Sequence, residues 1–73
     1  MMKYPIILED GGDGWILARC PIVRGCYAQG ETRAEALINI REVLKLTLEA
    51  RKELGLPLVE HEFSFVEATE VEL

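Results

Sequence analysis

The chain has 73 residues, of which 49% are hydrophobic and 29% charged. That mixture predicts one soluble globular domain with one small core rather than a disordered chain, and a domain this short often gains stability by self-association. The formal net charge is −5, from 8 basic and 13 acidic side chains, and no apolar run approaches the ~20 residues of a membrane span. The start, Met1-Met2-Lys3-Tyr4-Pro5, is too short and too interrupted for a signal peptide. The expected setting is the cytoplasm.

Residues Lys3 to Glu9 alternate as a strand, with Tyr4, Ile6 and Leu8 on one face and Pro5 and Ile7 on the other. Asp10-Gly11-Gly12-Asp13-Gly14 is a dense turn signal, because glycine and aspartate tolerate the positive φ of a tight hairpin. It is no phosphate loop: the spacing is wrong and two carboxylates would face the phosphates. Trp15 to Cys20 reads as a second strand that Pro21 ends, with Ile16, Ala18 and Cys20 on one face and Trp15, Leu17 and Arg19 on the other. After a short connection over 21–24, a third strand runs from Gly25 to Gly30, and unusual dihedrals are expected at both glycines.

Thr32-Arg33-Ala34-Glu35 then has the form of a capping box, in which the Thr32 hydroxyl accepts from the Glu35 N–H and the Glu35 side chain returns to the Thr32 N–H. A helix is expected to about Leu54, closed by Gly55 and Pro57. Its apolar face contains Ala36, Leu37, Ile40, Val43, Leu44, Leu48 and Leu54. Ile38 projects among Glu42, Lys45 and Glu49, and Leu46 sits at the margin of the apolar arc; both are candidates for contact with another subunit or partner. Residues 60–66 alternate His61, Phe63 and Phe65 with Glu60, Glu62, Ser64 and Val66, which predicts a fourth strand; residues 67–73 extend it or form a tail.

The predicted fold is α+β, in the order β-β-β-α-β over one domain, 1–73. Three strands form an antiparallel meander. The helix covers one face and returns the chain to a fourth strand parallel to the first, through a right-handed crossover. The other face is open to solvent or to a second copy.

The charge is unevenly placed. Acidic and basic residues cancel over 1–30 and again over 31–54, whereas residues 55–73 carry Glu60, Glu62, Glu67, Glu70 and Glu72 and no lysine or arginine. A basic protein is attracted to such a segment and nucleic acid is repelled. Glu60, Glu62, Glu67 and Glu70 are the candidate partner-facing residues. Cys20, Cys26 and His61 do not make a zinc set, and a disulfide framework does not suit an intracellular chain; both cysteines read as small buried apolar residues. No catalytic, metal or cofactor site is predicted. A minimal two-metal nuclease needs converging carboxylates, and Glu9 or Asp10 would stand at the opposite end of a parallel sheet from Glu60.

Several runs together resemble the HicB antitoxin family. They are Tyr4-Pro5-Ile6-Ile7-Leu8-Glu9, Asp13-Gly14, Pro21-x-Val23-x-Gly25-Cys26-x-Ala28-Gln29-Gly30-Glu31-Thr32, and Ala34-Glu35-Ala36-Leu37-x-Asn39-Ile40-x-Glu42. The fold-specifying positions Gly14, Pro21, Gly25, Cys26, Gly30, Thr32 and Glu35 fall within these runs, and Gly55 follows the helix. The resemblance covers roughly residues 3–66. It implies a truncated ribonuclease-H-like fold with strand order 3-2-1-4. It also implies a non-enzymatic role, the neutralisation of a small, basic, messenger-RNA-cleaving toxin of the HicA type. Many members append a DNA-binding domain; a chain ending at Leu73 is expected to be the short form and not to bind DNA. A solitary, self-associating HicB-like domain is the alternative.

Overall fold

The computed structural model describes residues 3–57 and 69–73. The elements are β1 (Lys3–Asp10), β2 (Ile16–Arg19), β3 (Tyr27–Gly30), α1 (Arg33–Leu54) and β4 (Thr69–Glu72). They make a four-stranded sheet in the order β3-β2-β1-β4, with the helix across one face.

Among the described residues every strand pairing is antiparallel. This corrects the expected direction of the last strand. The expected strand over 60–66, with His61, Phe63 and Phe65, lies outside the described residues. The segment expected to extend it or form a tail contains β4, where Thr69-Glu70-Val71-Glu72 carries its own period of two. Val71 is buried against the core while Glu70 and Glu72 are exposed. The pairs Lys3↔Glu72, Tyr4↔Val71, Pro5↔Glu70 and Ile6↔Thr69 set the register. Eleven residues separate Pro57 from Thr69, and β4 pairs antiparallel to β1.

The core lies between sheet and helix. Tyr4 and Ile6 from β1, Ala18 and Cys20 at β2, Val23 and Cys26 from the connection, Ala36, Ile40 and Leu44 from α1, and Val71 from β4 are buried. Side chains such as Ile6, Ile40 and Leu44, fully withdrawn from water, contribute about 1.5–3 kcal/mol each. Leu54, expected on the apolar face, is 73% exposed. Arg51 occupies that end instead. Its guanidinium donates from Nη1 to the Pro57 carbonyl at 3.1 Å and from Nη2 to the Arg24 carbonyl at 3.2 Å, tying the helix to the β2–β3 connection and to the chain's exit.

Local chemistry sets both helix ends. Thr32 is extended and its hydroxyl accepts from the Glu35 N–H at 3.1 Å. The return bond differs from the expected box: the Glu35 carboxylate accepts from the Glu31 N–H, one residue earlier, at 3.1 Å. At the far end Gly55 is left-handed (φ 72°), and the Leu56 and Gly55 N–H groups donate to the Arg51 and Lys52 carbonyls at 2.8 and 3.3 Å. This is a Schellman closure.

Gly25 has positive φ but Gly30 does not. Close approach, not dihedral angle, requires glycine at position 30. A Cβ there would lie 2.5 Å from the Ala36 backbone nitrogen and 2.9 Å from Glu35, so glycine lets the helix start against the sheet.

Candidate protein-docking surface

The antiparallel ladder dictates which backbone groups point out of the sheet. The Cys20 N–H donates to the Cys26 carbonyl at 3.1 Å, so Tyr27 and Gln29 turn their N–H and C=O away from β2, to the free edge. The Asn39 side-chain amide donates to the Gln29 carbonyl at 2.8 Å. At the other edge, Arg41 Nε donates to the Glu72 carbonyl at 3.3 Å. One helix thus holds a carbonyl at each edge, a device that limits strand-to-strand addition. Sequence reading gave neither residue this role; the only signal was a polar side chain beside each flank of Ile40.

The face of the sheet away from the helix is set by the same alternation. Ile7, Arg19 and Tyr27 stand in one row across β1, β2 and β3, and Glu9, Leu17 and Gln29 in the next. Arg19 Nε and Glu9 Oε1 form an ion pair at 2.9 Å across these rows. Tyr27 is 57% exposed and Trp15, at the hairpin mouth, 38%. The hairpin itself is held by Gly11 N–H to the Trp15 carbonyl at 2.8 Å and by Gly12 N–H to the Asp10 carboxylate at 3.0 Å. Gly12, Asp13 and Gly14 all have positive φ there.

The acidic segment is only partly in view. Glu70 and Glu72 are exposed on β4, Glu72 opposite Lys3 and Glu70 opposite Pro5, which brings no charge to it. Glu60, Glu62 and Glu67 lie outside the described residues. On the outer side of the helix, Ile38 is 66% and Leu46 64% exposed, two turns apart, with Glu42, Lys45 and Glu49 between and beside them.

Neither cysteine is placed for surface chemistry. Both are free and buried, and burial pushes both thiols up, Cys26 to about 11, with the neighbouring Cys20 thiol adding to the effect at Cys26. A cavity of about 160 Å³ opens beside Cys20, lined by Arg19, Pro21, Val23, Arg24 and Tyr27 among others. It is well short of the ~300–1,000 Å³ of small-molecule sites. Among the described residues no three His, Cys, Asp or Glu side chains converge to hold a metal, and no helix is long and apolar enough to cross a membrane. Of the carboxylates considered for a nuclease, Glu9 is paired with Arg19 and Asp10 caps the hairpin, while Glu60 lies outside the described residues.

No family model matches the chain. A UPF0150 protein of Thermoplasma acidophilum is 41% identical over 51 residues, which are 70% of this chain and 74% of that protein. Among solved structures, a chain of a HicA3 and HicB3 toxin–antitoxin complex superposes with a TM-score of 0.68 at 28% identity, covering 86% of this chain and 72% of the other. The N-terminal domain of the Burkholderia pseudomallei antitoxin HicB superposes with a TM-score of 0.64, also at 28% identity, covering 93% and 69%. The sequence likeness to HicB antitoxins is thus matched by a likeness of fold.

Proposed function

The chain belongs to the UPF0150 family, and we propose that it is an antitoxin-like binding module, not an enzyme, that sequesters a small basic RNA-cleaving toxin in the cytoplasm. The observation that carries this reading is the fold shared with a toxin–antitoxin complex. The acidic segment supports it. In this reading Glu60, Glu62, Glu67 and Glu70 meet the basic partner, and their charge speeds encounter more than it deepens affinity.

The test is a co-purification from the native cell at low and high salt, followed by an RNA-cleavage assay on the captured protein. The expected result is a small basic protein, released by salt, whose RNA cleavage this chain blocks. A captured protein that cleaves no RNA, or whose cleavage this chain leaves untouched, overturns the reading. A Glu60→Lys, Glu62→Lys double variant is expected to slow association and flatten its salt dependence.

A further inference from the structure

Cys20 and Cys26 face each other where the chain crosses from β2 to β3. The pairing of Arg19 with Tyr27, carried one step further, sets Cys20 directly opposite Cys26, and the Cys20 N–H donates to the Cys26 carbonyl at 3.1 Å. Both side chains are buried on the core side of the sheet and both are free thiols. A hydrogen-bonded antiparallel pair holds its Cα atoms about 5.5 Å apart, inside the ~4.4–6.8 Å range that a disulfide spans. Among the described residues no third ligand joins the two thiols to hold a metal. The thiols differ in access. Cys20 lines the cavity beside Arg19, Pro21, Val23 and Arg24, and Cys26 does not. Burial pushes the Cys20 thiol up, and the Ile22 and Val23 N–H groups offset part of that; at Cys26 the neighbouring Cys20 adds to it.

We propose that Cys20 and Cys26 are a site of reversible oxidation by a hydroperoxide, in which Cys20 meets the oxidant and Cys26 closes the disulfide. Hydrogen peroxide is small enough for a cavity of about 160 Å³. The Cys20 thiolate attacks one peroxide oxygen, the O–O bond breaks, and the other oxygen leaves as water with the thiol proton; Cys20 is then a sulfenic acid. The Cys26 sulfur attacks the Cys20 sulfur, the S–O bond breaks, and the departing hydroxide takes the Cys26 proton as a second water. Two thiols are oxidised to one disulfide while one peroxide is reduced to two waters. The backbone has to give a little, since directly opposite Cβ atoms stand about 4.5–5.5 Å apart against about 3.8 Å in a disulfide. Gly25, left-handed and next to Cys26, lies in the connection that must move. A bridge that displaces its backbone is more easily reduced, so a dithiol opens it again. Burial keeps the thiolate scarce, so the bridge forms slowly. Once formed, it fastens a connection whose Arg24 carbonyl already accepts from Arg51 of the helix.

The experiment exposes the native full chain to excess hydrogen peroxide and reads it by intact mass and non-reducing tryptic mapping. Trypsin cuts after Arg19 and Arg24, which puts the two cysteines on separate peptides, 20–24 and 25–33. The expected result is a chain lighter by two hydrogens, with those two peptides joined, and with both released by dithiothreitol. Its far-ultraviolet circular dichroism is expected to match the reduced chain, and its rate of formation to stay constant in urea below the unfolding transition. Cys20→Ser, folded by circular dichroism, is expected to slow oxidation of Cys26 at least about tenfold. Cys26→Ser, folded likewise, is expected to keep a sulfenic acid on Cys20 that dimedone traps. A wild-type chain that forms no joined peptide, or that cross-links only between copies, overturns the proposal. So does a bridge whose rate climbs with urea in step with unfolding, or a Cys26 oxidised as fast without Cys20.

Discussion

Asn39 and Arg41 flank Ile40 on the helix and reach opposite edges of the same sheet, Asn39 to the Gln29 carbonyl at 2.8 Å and Arg41 to the Glu72 carbonyl at 3.3 Å. Ile40 between them is fully buried. Residues two apart on a helix point some 200° away from each other, so three consecutive side chains index the helix to edge, core and edge at once.

Asn39→Ala is expected to destabilise the fold by about 0.5–1.5 kcal/mol, the net worth of one hydrogen bond. It also frees the β3 edge, so turbidity on prolonged incubation should rise relative to wild type. Urea unfolding checks the first effect and light scattering the second. A variant as stable and as soluble as wild type would remove the bond from this account.

Gly30→Ala tests close approach. The added Cβ would meet the Ala36 nitrogen at 2.5 Å, so the helix must lift from β3, at a cost of about 1–3 kcal/mol. Gly11→Ala is the control, since its Cβ would meet nothing nearer than 3.4 Å. Thermal melts of the two variants should separate clearly.

Thr32→Ala removes the acceptor for the Glu35 N–H and should cost about 1 kcal/mol, with Thr32→Ser close to neutral. Gly55→Ala forces a side chain into the left-handed region and should cost about 1–2 kcal/mol. Far-ultraviolet circular dichroism during urea titration reads both.

The buried thiols make stability fall in alkali. Cys26 holds its proton in the folded chain up to about 11, whereas an unfolded thiol loses it near ~8.5. The unfolded state therefore binds fewer protons across that window, and stability declines as pH rises through it. Cys20 shifts in the same direction, through burial. Cys26→Ala is expected to shrink that slope when urea midpoints at pH 8 and pH 10 are compared. Native-state labelling by a thiol reagent should be slow and limited by opening of the fold.

The meander and the helix were legible because their signals are local. Alternation marks β1 to β3, Thr32 and Gly55 mark the helix ends, and the strand order 3-2-1-4 followed from the family resemblance. The direction of β4 was not legible. It depends on pairing Tyr4 with Val71, from opposite ends of the chain, and four residues rich in glutamate look like a tail until a neighbour is supplied. The candidate surface was legible only as composition. A run of carboxylates can be read from a sequence, but no local pattern assigns roles to Asn39, Arg41 and Arg51, because their acceptors are backbone carbonyls elsewhere in the chain. Gly30 was read as a dihedral requirement because a neighbour's nitrogen cannot be seen from the residue itself.

The pairing of Tyr4 with Val71 has a kinetic consequence. The β1–β2 hairpin, the β2–β3 connection and the helix all form between residues near one another in the chain, so they assemble early and cheaply in entropy. Joining β4 to β1 closes a loop of almost the whole chain, for four residues of ladder and one buried valine. β4 is then the last strand to dock and the first to leave. Amide exchange at Thr69 and Val71 should outpace that of the paired amides of β1 and β2.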